Sequence, residues 1–115
     1  MTQFVLIYRR AKDNAPTSFA QMQERIPKWQ AWFTELAERG HLQDRGNPLG
    51  QTGRVVRSPV KKNTTDGPYA EKDLVIGYSL IEANDLDHAC NIASGCPGLL
   101  EQDFSVEVRP VMGVG

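Results

Sequence analysis

Asp66-Gly67-Pro68-Tyr69-Ala70-Glu71 holds two carboxylates and a phenol on one short stretch of chain. A carboxyl group in partial burial has a raised pKa and can exchange protons near neutral pH. Asp66, Tyr69 and Glu71 are therefore the catalytic candidates. The same residues also read as plain structure. Asp-Gly-Pro is a turn: the Asp oxygen accepts from nearby amides, Gly67 tolerates positive φ and Pro68 fixes the next dihedral. Glu71 reads first as a solvated loop residue beside Lys72. The two readings of Asp66 are compatible, and Asp66, Gly67, Pro68 and Tyr69 are also candidates for binding a ligand.

Trp29, Trp32 and Phe33 lie within one and a half helical turns, as the aromatic wall of an apolar pocket would. Trp29 and Phe33 fall on an apolar stripe, so core packing is their default. Trp32 lies off it and suits a pocket rim, and both tryptophans are ligand-binding candidates. Arg109 alternates with Val106 and Val108 and points away from their face, toward a subunit seam or an anionic ligand. His41 and His88 are far apart in sequence and read as surface residues. Cys90 and Cys96 fit neither a CxxC redox pair nor a zinc knuckle, and no metal or other cofactor is expected. Cys96 follows a helix C-terminus, the end that does not activate a thiolate, and reads as structural.

The elements that must position these groups follow from periodicity. Residues 3–9 are β-branched and aromatic, apolar on both alternations, a strand covered on both faces. Thr17 and Ser18 cap a helix whose apolar residues Phe19, Met22, Ile26, Trp29, Phe33 and Leu36 step by three and four. Pro27 should kink it or start a second helix, and Gly40 ends it. Residues 42–53 read as loop, 54–57 as a short second strand and 61–66 as polar connection. Residues 74–82 are the longest strand. Asn84 or Asp85 caps a second helix with the stripe Leu86, Ala89, Cys90 and Ala93, stopped by Gly95 and Pro97. Phe104, Val106 and Val108 mark a last half-buried strand.

The predicted fold is α+β, β-α-β-β-α-β in order: a ferredoxin-like four-stranded antiparallel sheet with both helices on one face. Two helices cannot also cover the second apolar alternation of the first and third strands. A second copy laid sheet to sheet would, and a homodimer is expected, the rival being cover of that face by long loops. The connection after Ser58 spans about 15 residues, a length usually tied to function or disorder.

The 115 residues suit a single domain, 1–115, and 40% apolar with 23% charged residues suits a folded one. Thirteen basic against fourteen acidic side chains argue against direct nucleic-acid binding. No apolar run reaches the roughly 20 residues of a membrane span. The first residues lack a basic region before their short apolar run, so no secretory signal is expected and a cytoplasmic location is.

The motifs Asp66–Glu71, Gly77-Tyr78-Ser79-Leu80-Ile81-Glu82-Ala83, Leu86-Asp87-His88-Ala89, Gly95-Cys96-Pro97 and Val106–Val111 resemble the YCII-related family, specifically its DGPF-motif branch. Asn47-Pro48-Leu49 and Gly53-Arg54-Val55-Val56 are similar to that branch too. The resemblance spans nearly the whole chain. It implies a ferredoxin-like domain that dimerises into a barrel-like pair of sheets. A small-molecule pocket between sheet and helices, and an accessory role linked to sigma factors, are further implications. The broader family has a possible His–Asp catalytic pair. Matched onto this chain, Trp29 stands at the His position and Cys96, before Pro97, at the Asp position. The resemblance therefore implies a small-molecule-binding or accessory homodimer with a pocket near the Asp66–Tyr69 loop. An enzyme using the loop carboxylates is the alternative, and a factor in sigma-linked transcription control a second.

Overall fold

A computed structural model describes residues 1–11, 19–56, 58, 65–66 and 73–113. The elements are β1 (Thr2–Ala11), α1 (Phe19–Glu38), β2 (Leu42–Asp44), β3 (Arg54–Val55), β4 (Thr65–Asp66), β5 (Asp73–Ala83), α2 (Leu86–Ala93) and β6 (Phe104–Pro110). A 3-10 turn, Pro97–Leu100, precedes β6. Four strands form one antiparallel sheet in the order β2-β5-β1-β6, compatible with the ferredoxin-like arrangement.

The second strand of that sheet corrects the sequence reading. It is Leu42–Asp44, inside the stretch expected as loop. Arg54–Val55 instead pairs with Thr65–Asp66 in a separate two-stranded ribbon, so residues 65–66 are strand, not connection. Leu42-Gln43-Asp44 has too little apolar content to announce itself. Its place is set by the helix exit. Gly40 adopts φ +78°, its N–H donates to the Ala37 carbonyl, and the His41 N–H donates to the Leu36 carbonyl. This Schellman turn ends α1 and lays His41 beside β5, where its carbonyl accepts from the Glu82 N–H. This short strand is then held at an edge by its backbone hydrogen bonds to β5, by the Gln43 side chain, which donates to the Glu82 carboxylate, and by Leu42 against the core.

α1 runs through Pro27 as one helix; no second helix starts there. Pro27 is exposed. Its ring displaces one backbone hydrogen bond at the solvent side, while Trp32 and Leu36 anchor the turns that follow. The stripe is also rotated from expectation. Trp32 and Leu36 are buried, whereas Met22 and Ile26 are about half exposed and Phe19 more so. In α2 the Asp85 carboxylate caps the first turn by accepting from the His88 N–H at 2.8 Å. Ala89 and Ala93 are buried, but Leu86 and Cys90 are exposed, contrary to the expected stripe.

The core lies on one face of the sheet. Phe4, Leu6, Tyr8, Ile81, Ala83 and Phe104 meet Trp32 and Leu36 of α1 and Ala89 and Ala93 of α2. The register pairs Val5 with Leu80 and Ile7 with Tyr78 on the other face. All four are half-buried. A charged rim flanks them at β6, where Arg9 and Arg109 both reach Glu107.

Candidate functional site

The two helices differ in what they press against the sheet. α2 presents Ala89 and Ala93, so its backbone settles closely on β5 and β6. α1 presents indole and phenyl rings, and its backbone comes closest to β2 and the 3-10 turn. The rings hold α1 away from β1 and β5 over part of its length. Between them lies a cavity of about 710 Å³, within the range of small-molecule sites.

Its walls come from three elements. α1 contributes Trp29, Phe33, Ile26 and Met22. β5 contributes Leu74 and Ile76. Between Tyr8↔Gly77 and Arg9↔Val75 the register shifts, leaving Ile76 as the extra residue. Such a bulge re-aims side chains, and Ile76 stands on the same wall as Leu74. The third wall is the loop after β2. Its Leu49 N–H donates to the Ile76 carbonyl at 2.9 Å, and Pro48 bridges to Gly77.

Gly46 makes that closure possible. Its φ is +71°, and a Cβ there would lie 1.7 Å from the Tyr78 carbonyl oxygen. The Asp44 carboxylate accepts from the Gly46 N–H at 2.8 Å and sets the turn. At the cavity floor the Tyr8 hydroxyl donates to Ser79 Oγ at 2.8 Å. Ser79, fully buried, donates onward to the Arg45 carbonyl at 2.6 Å. The floor is thereby tied to the loop that forms the wall.

Aromatic contacts stiffen the α1 side. Trp29 meets Tyr8 edge-on at 5.0 Å between centroids and also contacts Trp32, Phe33 and Phe104. Four charged groups join the lining: Arg10, Arg25, Arg45 and Glu101. Glu101 accepts from Arg25 at 2.6 Å and receives Arg10 Nη2 at 3.3 Å on both oxygens. The Arg45 guanidinium carbon lies 5.1 Å from the Phe33 ring centroid.

Of the sequence candidates, Trp29 lines the cavity. Trp32 is buried behind it, its indole nitrogen against Gly95. Arg109 is exposed on β6, near Glu107, away from the cavity. The backbone of Asp66 belongs to β4, while Gly67, Pro68, Tyr69 and Glu71 lie outside the described residues. His41 and His88 do meet, with ring centroids 5.1 Å apart. The His88 Nδ1 accepts from the Asn84 N–H, and the His41 Nδ1 contacts the Glu82 carbonyl. Among the described residues no group of three or more His, Cys, Asp and Glu could hold a metal ion. Likewise, no helix there is long and apolar enough to cross a membrane. Sequence reading missed Arg10, Arg25, Arg45 and Glu101, because nothing in their spacing brings a strand end, a helix, a loop and a turn together.

A family model for the YCII-related domain matches residues 3–113 of the chain. The chain belongs to the YCII-related family. No curated protein shows significant similarity to it. In this YCII-related protein, Trp29 and Cys96, the positions matched above to a His and an Asp, hold an indole and a thiol. Trp29 has no proton to exchange near neutral pH. Burial pushes the Cys96 thiol up to about 12, against the opposing hydrogen bonds of the Gly98 and Leu99 amides. Burial likewise pushes the Tyr8 phenol above its ordinary value of 10.0, partly offset by the Ser79 hydrogen bond. At neutral pH both are protonated, as wall and core groups rather than proton carriers.

Two measurable consequences follow. Cys96 is 3% exposed and Cys90 lies on the surface. A disulfide reagent at pH 7–8 is expected to titrate one thiol in native protein and two in guanidinium. Raised folded-state pKa values for Cys96 and Tyr8 mean that their contribution to stability is fully present below about pH 9. It is lost as pH rises from there toward 12 and beyond. Denaturant midpoints should therefore fall through that alkaline window, and less steeply in Tyr8→Phe.

Proposed function

We propose that this YCII-related protein is a homodimeric small-molecule-binding protein whose site is the cavity between α1, β1 and β5. The observation that supports it most is the cavity itself, about 710 Å³ with largely apolar walls and a few charged groups in its lining. The protonated Cys96 and the indole of Trp29 favour binding over inherited acid–base catalysis. Within the family we place the chain in the DGPF-motif branch on Asp66–Glu71. The homodimer is supported by the face opposite the core, where Val5, Ile7, Tyr78 and Leu80 are half-buried and apolar inside a charged rim.

Thermal shift against a panel of small apolar molecules tests the site. A ligand at 100 times its Kd should stabilise the protein by about 2.7 kcal/mol. Ile76→Trp, which fills the space from the β5 wall, should abolish the shift while leaving a folded protein. Light scattering tests the dimer. The expected mass is twice that of one chain, falling to one chain in Ile7→Glu. A single-chain mass for the unmodified protein at micromolar concentration would refute the dimer.

A further inference from the structure

The chain as a whole is nearly neutral, with thirteen basic and fourteen acidic side chains. The described residues around the cavity are not. They include three arginines, Arg10, Arg25 and Arg45, against one carboxylate, Glu101. Arg10 and Arg25 share that carboxylate. Arg45 is different: among the described residues it has no carboxylate partner, and its guanidinium lies at the Phe33 ring. An aromatic face holds a guanidinium without using up its N–H donors. Those donors form a planar fork that matches a carboxylate with two parallel hydrogen bonds. Its backbone is fixed as well, because the Arg45 carbonyl accepts from buried Ser79 and the next residue is the tightly seated Gly46.

The geometry points to a ligand class: resting on the binding reading above, we propose that the cavity takes a small organic acid with a flat apolar body. The body lies against Trp29, Phe33 and Ile76, and the carboxylate pairs with Arg45 at the mouth. The surplus positive charge of the lining favours an anion over its neutral isostere. A fork with no carboxylate partner among the described residues suits a carboxylate monoanion, whereas Arg10 and Arg25 already share Glu101.

Calorimetric titration of the full chain with 2-naphthoate and its uncharged isostere 2-naphthamide tests this. The naphthoate is expected to bind saturably, at least tenfold tighter than the amide, with affinity falling as salt is raised. Arg45→Gln should weaken naphthoate at least tenfold and leave naphthamide unchanged, while Arg45→Lys recovers part of the loss. Equal binding of the two probes, or a naphthoate preference that survives Arg45→Gln, would overturn the acid preference and leave the binding site standing. Equal loss of both probes in Arg45→Gln would make Arg45 a wall of the cavity, not an anion anchor, and also overturn it. Binding of neither probe would remove the binding reading and this inference together.

Discussion

Gly46→Ala is expected to destabilise the protein by at least about 3 kcal/mol and to open the cavity on its loop side. Two effects add at this position. A non-glycine residue at φ +71° costs about 1–2 kcal/mol in itself. The new Cβ would also lie 1.7 Å from the Tyr78 carbonyl oxygen and 2.7 Å from its carbon, atoms of a sheet strand that cannot step aside. The loop must lift instead. Lifting it weakens the Leu49–Ile76 hydrogen bond, the Pro48–Gly77 bridge and the Ser79–Arg45 hydrogen bond. Thermal unfolding should show a midpoint lower by on the order of 10 °C or more. Amide exchange of Leu49 should rise disproportionately. Gly40→Ala is the control: φ is +78° there too, but no atom lies within 4 Å of the Cβ position, so only the smaller conformational cost applies. Equal losses in the two variants would show that the close approach to β5 has no energetic consequence.

Trp29→Ala is expected to cost about 3 kcal/mol, the lower end for burying-to-truncating an aromatic, because Trp29 is only partly buried. The indole touches Tyr8, Trp32, Phe33 and Phe104 at once, so its removal loosens α1, the sheet and the turn into β6 together. The vacated space adjoins the cavity and would fill with water. Denaturant unfolding should give the midpoint loss with little change in slope, and binding of 2-naphthoate should be lost. Trp29→Phe keeps an aromatic edge against Tyr8 and should lose no more than about half as much stability. Retention of full stability in Trp29→Ala would mean that the aromatic cluster does not hold α1 in place.

Both predictions concern residues whose meaning differed in legibility. That Trp29 lies on the sheet-facing side of α1 was visible in the helix spacing, though the buried line runs through Trp32 and Leu36 and not through Phe19, Met22 and Ile26. The Gly40 stop and a cap at Asn84 or Asp85 were visible because local backbone chemistry is confined to neighbouring residues, and the structure gives the cap to Asp85. Gly46 read only as one of several loop glycines, because its requirement comes from Tyr78, a strand distant in sequence. β2 was hidden because it is three residues long with one apolar side chain, and its place comes from pairing with β5, a strand distant in sequence.

From sequence alone came the α+β class, both helices, the long strands β1, β5 and β6, and the YCII-related resemblance. These depend on periodicity and motif order, which are properties of the chain read in line. Tertiary structure decided which strand completes the sheet, that Trp32 and not Phe33 is the more deeply buried, and that a cavity opens under α1. It also brought Arg10, Arg25, Arg45 and Glu101 from four separate elements to one space. Those outcomes depend on how far bulky rings hold a helix from a sheet and where a bulge turns the strand beneath it, and neither distance nor direction is written in the spacing of residues.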